Sequence, residues 1–354
     1  MRLCYFGRET NTQRGNLFLK GLRLNGVDIS EINYTPSLSR RLNYVNIFVK
    51  SLKSYYDAII VGFDRWLENF FAKLRMRNLI LWDAFMSQFD TYVFDRKLVN
   101  LNSRYAKYLY YRELFTLKCA DVTILDTNAH INNFKDIYPT HKGEYGRVFV
   151  GADDAVAYPQ KIEKNSDKFI VFFIGSYIPL HGIEYIIEAA KELEGDKEIL
   201  FELVGAGQTY ELIQKTAKNF NLSNVNFIPA VPYSEAIKLT NQADICLGIF
   251  GTSRKAKSVI PSKVYDALAT AKPIITGDSP ASREILQNEE NAMLSKMGNG
   301  KSLADAIIRL KEDKKLREKI ALNGYKLFKN NLTPKHIGRS IINIINKNHY
   351  NSSK

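Results

Sequence analysis

At 354 residues the chain is too long for one ordinary core and implies two domains of roughly 150 to 180 residues each. Its 45% hydrophobic and 25% charged residues exclude a disordered or fibrous protein, and no run nears the roughly 20 apolar residues that span a bilayer. A formal charge of +13 points to anionic partners and leaves nucleic acid, phosphorylated substrates and anionic lipid open.

The chain opens on Met1-Arg2-Leu3-Cys4-Tyr5-Phe6-Gly7, an apolar run too short for a signal peptide that reads as a first strand. Short β-branched runs then alternate with longer amphipathic segments, the pattern of β-α-β units around a parallel sheet. In the first half, strands are expected at 2–7, 57–62, 78–82 and 122–125, and helices at 13–24, 65–76 and 105–119. Residues 151–166 are polar, carry Asp153, Asp154 and Pro159, and read as an interdomain linker. A second series places strands at 169–174, 199–204, 225–229, 245–249 and 273–276, and helices at 182–193, 210–219, 233–240 and 262–270. The expected architecture is two doubly wound, Rossmann-like α/β domains, 1–155 and 156–334, with a helix over about 335–354 packing back on the first. Such domains leave a cleft between the carboxyl ends of their sheets, where ligands bind. Cys4, Cys119 and Cys246 lie far apart, as buried thiols of a reducing cytosol do. A cytoplasmic protein is expected, with contact at the cytoplasmic membrane face left open.

Three stretches of the second half carry chemistry. The first is the turn Gly175-Ser176-Tyr177-Ile178-Pro179-Leu180-His181-Gly182. It leaves a strand and enters a helix, so free amides and the positive helix end are offered to an anion. Gly175 allows close approach of a phosphate, and a protonated His181 adds charge; a plain strand–helix turn with a surface histidine reads equally from these residues. The second, Val204-Gly205-Ala206-Gly207, is a weaker signal, since any tight turn uses glycine. The third runs from Arg254 through Lys255, Lys257, Ser258, Ile260, Pro261, Ser262 and Lys263 to Asp266 and Ala269. Pro261 and Ser262 open a helix, and Ser262 and Asp266 share its face. Its first amides suit a diphosphate while Asp266, one turn on, suits a ribose hydroxyl pair. Arg254, Lys255 and Lys257 read as a flexible basic loop beside it.

Taken in order, these motifs resemble the donor-binding half of family 4 glycosyltransferases, whose two-Rossmann architecture is called GT-B. Ala243-Asp244-Ile245 and Lys272-Pro273-Ile274-Ile275 extend the likeness over the second half. The first half resembles the same group more loosely at Trp82-Asp83-Ala84-Phe85-Met86-Ser87, Asp95-Arg96, Ala120-Asp121-Val122 and Val150-Gly151-Ala152-Asp153. The family's two glutamates, seven residues apart, fall here on Ser258 and Asp266, and its usual Arg and Lys on the phosphate turn fall on Ser176 and His181. These departures resemble a subgroup with Pro-Leu-His-Gly in the turn and Pro-x-Lys in the helix, and they shift the diphosphate's countercharge to Lys263 and the basic loop.

The resemblance implies a retaining sugar transfer from a nucleoside-diphosphate sugar to a hydroxyl acceptor, without a metal or other cofactor. The donor would meet Gly175, Ser176, His181, Gly182, Gly205, Gly207, Lys255, Ser258, Ile260, Pro261, Ser262, Lys263 and Asp266, with Ala230 and Val231 shaping the loop that chooses the base. His181 and Lys263 would stabilise the departing diphosphate. The acceptor, a glycan, a lipid-linked precursor or a small molecule, falls to the first half, where Asp83 or Asp95 would orient its hydroxyl and Arg96 would meet an anionic group. Nucleic acid lacks any reader motif here. The missing first glutamate leaves a second reading open, a nucleotide-sugar-binding protein without turnover. Residues 65–77 place Trp66, Phe70, Phe71 and Leu74 at helical spacing beside cations, which suits either a core helix or one lying in a membrane interface.

Overall fold

The computed structural model describes residues 1–7, 12–33, 56–62, 66–74, 79–164 and 166–352, with side chains to 348. Arg65, Arg75 and Met76 of the expected helix 65–76, Asn78 of the expected strand 78–82, and Arg77 between them lie outside the described residues. Two compact units result: Met1–Val150 with Pro334–Lys354, and Gly151–Thr333.

The first unit runs β1 (Arg2–Gly7), α1 (Gln13–Leu24), β2 (Asp28–Asn33), β3 (Ala58–Val61), α2 (Trp66–Leu74), β4 (Leu79–Asp83), a π-helical turn (Asp90–Asp95), α3 (Arg104–Cys119), β5 (Val122–Leu125), α4 (Asn128–Ile137) and β6 (Glu144–Arg147), and closes with α12 (Pro334–Ser352). Its six strands are all parallel in the order β2-β1-β3-β4-β5-β6. The central strands β3 and β5 are buried at every position, as the continuous runs Ala-Ile-Ile-Val and Val-Thr-Ile-Leu require of strands covered on both faces. β2, β6 and α4 were not among the expected elements. Asp-Ile-Ser-Glu-Ile-Asn and Glu-Tyr-Gly-Arg form the two edges, where polar residues facing water erase the apolar run that marks a buried strand.

Side-chain caps start the helices where the sequence offers them. Thr12 accepts from Gly15 N at 3.2 Å, Ser103 from Ala106 N at 3.0 Å and Thr127 from His130 N at 2.9 Å. The last helix, α12, lies on α1 through two facing glycines. A Cβ on Gly21 would sit 2.1 Å from the Pro334 carbonyl oxygen, and one on Gly338 2.2 Å from Gly21. Only hydrogen at both positions lets the backbones cross this closely. α2 buries Glu68, Asn69 and Ala72, whereas Trp66 and Phe70 are half-buried and Leu74 is exposed. Its aromatic side is thus not the side that joins the core.

The second unit runs β7 (Phe169–Ile174), a 3₁₀ turn (Pro179–His181), α5 (Ile183–Glu192), β8 (Ile199–Val204), α6 (Tyr210–Asn219), β9 (Val225–Ile228), α7 (Tyr233–Gln242), β10 (Ile245–Leu247), α8 (Arg254–Ser258), α9 (Ser262–Ala269), β11 (Ile274–Gly277), β12 (Met293–Ser295), α10 (Gly300–Glu312) and α11 (Lys314–Asn331). Its parallel sheet has the order β12-β11-β10-β7-β8-β9, so the winding reverses between β7 and β10, the position where open α/β sheets take ligands. The segment read as a linker belongs to this unit. Ala152 and Ala157 are buried, Asn241 holds both the Gln160 amide and the Tyr158 carbonyl, and Lys164 pairs with Asp244. Within it, Asn165 lies outside the described residues.

Candidate functional site

At the reversal point of the second sheet, the β7 turn and the β8 turn are bound to each other through their backbones. Gly175 N donates to Val204 O at 3.0 Å, Tyr177 N to Ala206 O at 2.8 Å and Thr209 N to Tyr177 O at 3.0 Å. The glycines follow from this contact. Gly205 has φ +140°, and a Cβ there would lie 2.0 Å from the Gly175 carbonyl oxygen; on Gly207 it would lie 2.7 Å from Tyr177 O. The second turn therefore braces the first. Gly205→Ala is expected to destabilise the protein by about 2–4 kcal/mol, from overlap with backbone and strained φ together, measured by urea denaturation. Gly182, at φ +63°, abuts Gly251: a Cβ would come 2.3 Å from the Gly251 amide nitrogen, locking the start of α5 against the segment after β10.

Lys263 reaches this turn from the first turn of α9. It is 8% exposed, its ammonium lies 3.9 Å from the centre of the Phe173 ring, and no hydrogen-bond partner meets it among the described residues. A Cβ on Gly175 would stand 2.5 Å from Lys263 Nζ and 3.0 Å from His181 Cε1, so the lysine and the imidazole flank one glycine. Burial pushes the Lys263 ammonium well below its usual value. His181 is buried, packs edge-on against Phe173 with ring centres 5.8 Å apart, and turns Nδ1 to the Ser176 carbonyl oxygen. That contact places the Nδ1 proton and orients the ring. Ser176 is itself exposed.

No side chain caps α9; Pro261 occupies the N-cap position and supplies only its carbonyl, to Val264 N at 3.0 Å. The uncapped start keeps the positive end of the helix available beside Lys263. One turn on, Asp266 is buried and accepts from Tyr233 Oη at 2.7 Å. Tyr233 opens α7 directly after the loop that holds exposed Ala230 and half-buried Val231, so this bond ties that loop to Asp266. Sequence reasoning passed over Tyr233 because 33 residues separate the pair.

The basic loop requires correction. Residues Arg254–Ser258 form a short helix, α8, whose N-cap Ser253 accepts from Ala256 N at 3.1 Å. Lys255 is buried while Arg254 and Lys257 are exposed, so the three cations point different ways instead of forming one flexible cluster. Ser258 Oγ donates to Arg254 O at 2.7 Å and Ile260 is buried at 2% exposure. The hydroxyl at the first glutamate's position is thus spent on the helix backbone.

In the first unit, the chosen residues sit in the interior. Asp83 ends β4 at 3% exposure and receives Arg14 Nε on both oxygens, at 3.0 and 3.1 Å. Arg14 also donates to Val148 O at 3.0 Å and stacks between Phe18 and Phe85. Burial pushes the Asp83 carboxyl up, with Arg14 pulling the other way. Beyond β5, Asp126 holds His130 Nδ1 at 2.6 Å, both fully buried. Asp95 is 2% exposed within the π-helical turn and Arg96 is half-buried beside it. The loop between β4 and that turn hangs on Glu113, which accepts from Ser87 Oγ at 2.6 Å, the Gln88 amide at 2.5 Å and Tyr138 Oη at 2.5 Å. Ser87 and Asp90 are parts of this internal network. Arg14 and His130 were not picked out in advance. Asp126-x3-His130 at a strand end is a legible spacing, whereas nothing local marks Arg14.

Residues 155–327, just under half the chain, match the family model described as "Glycosyl transferases group 1". An uncharacterized glycosyltransferase of Methanocaldococcus jannaschii is 25% identical over 312 residues, covering 81% of this chain and 76% of the relative. Among solved structures, sucrose-phosphate synthase from Thermosynechococcus elongatus superposes with a TM-score of 0.75 at 15% identity, over 99% of each chain. Anabaena HepE in complex with UDP gives 0.72 at 12% identity, over 98% of this chain and all of that one. The fold is GT-B, and the chain is a glycosyltransferase.

Proposed function

We propose that this glycosyltransferase takes its sugar from a nucleoside-diphosphate donor seated on the second unit, and that it is a family 4 enzyme of the Pro-Leu-His-Gly subgroup. The observation that carries the reading is Lys263: a buried ammonium with no hydrogen-bond partner among the described residues, directed at the Gly175 turn. An unpaired buried cation is costly in the free protein, and an anion at that turn removes the cost. The diphosphate lies between the β7 turn and the uncapped start of α9, with Lys263 and His181 beside it and the ribose on Asp266. The bond from the anomeric carbon to the diphosphate oxygen breaks as the acceptor oxygen bonds that carbon, and the acceptor's hydroxyl proton leaves with the diphosphate. Lys263 and the helix end meet the negative charge that develops on the leaving group, the work a divalent ion does in other transferases. The reading includes retention at the anomeric carbon, an acceptor held by the first unit, and full activity in EDTA.

The UDP held by HepE makes uridine the first base to test. Among UDP, GDP, CDP and ADP, UDP is expected to raise the melting temperature most, as a ligand of the folded state does once above its dissociation constant. No shift with any of the four sinks the proposal. Asp266→Ala is expected to weaken UDP binding about ten- to hundredfold through loss of a charge-assisted hydrogen-bond pair, and Tyr233→Phe by less, both by calorimetric titration. An unchanged affinity in Asp266→Ala would remove the ribose from that carboxylate.

A further inference from the structure

One surface of the first unit takes no part in the donor chemistry. Along α3, Tyr105 and Tyr108 are each 50% exposed and Tyr111 is 65% exposed. Tyr105 and Tyr108 stack with ring centres 6.0 Å apart, and Arg112 lies over the Tyr108 ring. One turn on, Phe115 packs against Trp66 and Phe70 of α2 with ring centres 6.2 and 5.8 Å away. The strip therefore runs unbroken from α3 onto the outward side of α2, where Leu74 is 53% exposed.

Apart from Asp121, which pairs with Lys73, the charges on this face are positive. α2 and α3 hold one acid each, Glu68 and Glu113, and both are buried. Arg104, Lys107 and Lys118 are exposed along α3, and Lys73 of α2 is tied to Asp121. α2 turns Glu68 and Asn69 inward and its aromatic rings outward, the reverse of a helix built to fill a core. The first 150 residues carry 22 Lys and Arg against 14 Asp and Glu, so the wider unit adds to the same field.

We propose that this α2–α3 face docks on an anionic lipid bilayer, with the tyrosine and tryptophan rings at headgroup depth and the lysines and arginine against lipid phosphates. Amphipathic rings beside cations suit that interface, and each basic residue near an anionic surface adds about 1 kcal/mol. A second copy of the chain is disfavoured as the occupant, because a twofold contact would set this predominantly basic face against itself. Leu74 beside the rings favours a bilayer over single-stranded nucleic acid, which stacks bases on aromatics but gives an aliphatic side chain no role.

The test is flotation of the full chain with vesicles of phosphatidylcholine alone and of phosphatidylcholine with about 30% phosphatidylglycerol. At least about tenfold tighter partitioning to the anionic vesicles is expected, weakening as salt rises toward about 0.5 M. Tyr108→Ser/Tyr111→Ser and Lys107→Glu/Lys118→Glu should each lose about tenfold of that partitioning, with melting temperature unchanged. Lys238→Glu, an exposed site in the second unit, should partition as the parent does. Equal partitioning to both vesicles, parental partitioning of the two double variants, or displacement from vesicles by a single-stranded oligonucleotide overturns the proposal. Nucleotide does not enter the assay, so its outcome is separate from that of the donor-site reading.

Discussion

Lys263→Met is expected to lower sugar transfer from the donor by roughly 10²–10³-fold, the loss seen when one preorganised donor to a developing negative charge is removed, and to make the free protein more stable. The two effects have opposite signs for one reason. The Lys263 ammonium is buried against Phe173 with no hydrogen-bond partner, so folding without ligand either strips its hydration or its proton. Methionine fills the same space without that demand. Denaturation midpoints of the two proteins, with and without UDP, check both halves of the statement: the variant should melt higher alone and gain less from UDP. A variant that melts lower alone and gains as much from UDP would show that Lys263 serves packing and not the diphosphate.

The pH dependence follows from the same burial. Lys263 in the folded protein loses its proton well below its usual 10.5. Between that lowered value and 10.5, the unfolded chain holds one more proton than the folded one, so the free protein gains stability as pH rises through this window. A bound diphosphate pulls the lysine back up, so binding takes up a proton there and affinity falls as pH rises. Calorimetric titration with UDP in buffers of different ionisation enthalpy reads the uptake directly. Lys263→Met should abolish both the uptake and the slope.

Arg14→Ala is expected to destabilise the protein by about 3–5 kcal/mol, the cost of leaving one member of a buried ion pair without its partner. Asp83 keeps its place at the end of β4 but loses the guanidinium that meets both its oxygens. Burial already pushes this carboxyl above its usual 3.8, and removal of Arg14 moves it further up. The sign is then fixed: a carboxyl whose folded value lies above its unfolded value costs stability as pH rises past 3.8. The deficit of Arg14→Ala should therefore be smaller at pH near 5 than near 8, by urea denaturation. The double variant Arg14→Met/Asp83→Leu should recover much of the loss, since apolar replacements of a buried pair are often tolerated. If the double variant is as unstable as the single, the ion pair is not the source. Asp83→Ala alone leaves Arg14 buried without its carboxylate, so reduced transfer in that variant is interpretable only beside its stability and its UDP affinity.

Much of the fold is legible along the chain because periodicity and capping are local. Phe169–Ile174 is a continuous apolar run and Ile199–Val204 is one broken only by Glu202, and both are strands over those same residues; Gln13–Leu24 and Tyr210–Asn219 likewise follow from helical periodicity. The edge strands β2 and β6 escape because polar residues interrupt the apolar pattern that marks a strand. The basic run at 254–257 misleads for a related reason: a charge-rich stretch looks like a solvated loop, yet Ser253 caps it into a helix and Lys255 turns inward.

By itself, then, the sequence determined the two α/β series, the order of turns along the second half, and the residue types at Gly175, Pro261, Lys263 and Asp266. Tertiary structure alone decided what those residues meet. Asp83 finds Arg14 across 69 positions and Asp266 finds Tyr233 across 33, and no local pattern encodes partners that only sheet winding brings together. It also decided which side of α2 faces out and which lysine is stripped of water. Hydration and charge state belong to the packed surroundings of a side chain, and Lys263 owes its weakened hold on a proton to burial against Phe173 and the Gly175 turn, not to its neighbours in the chain.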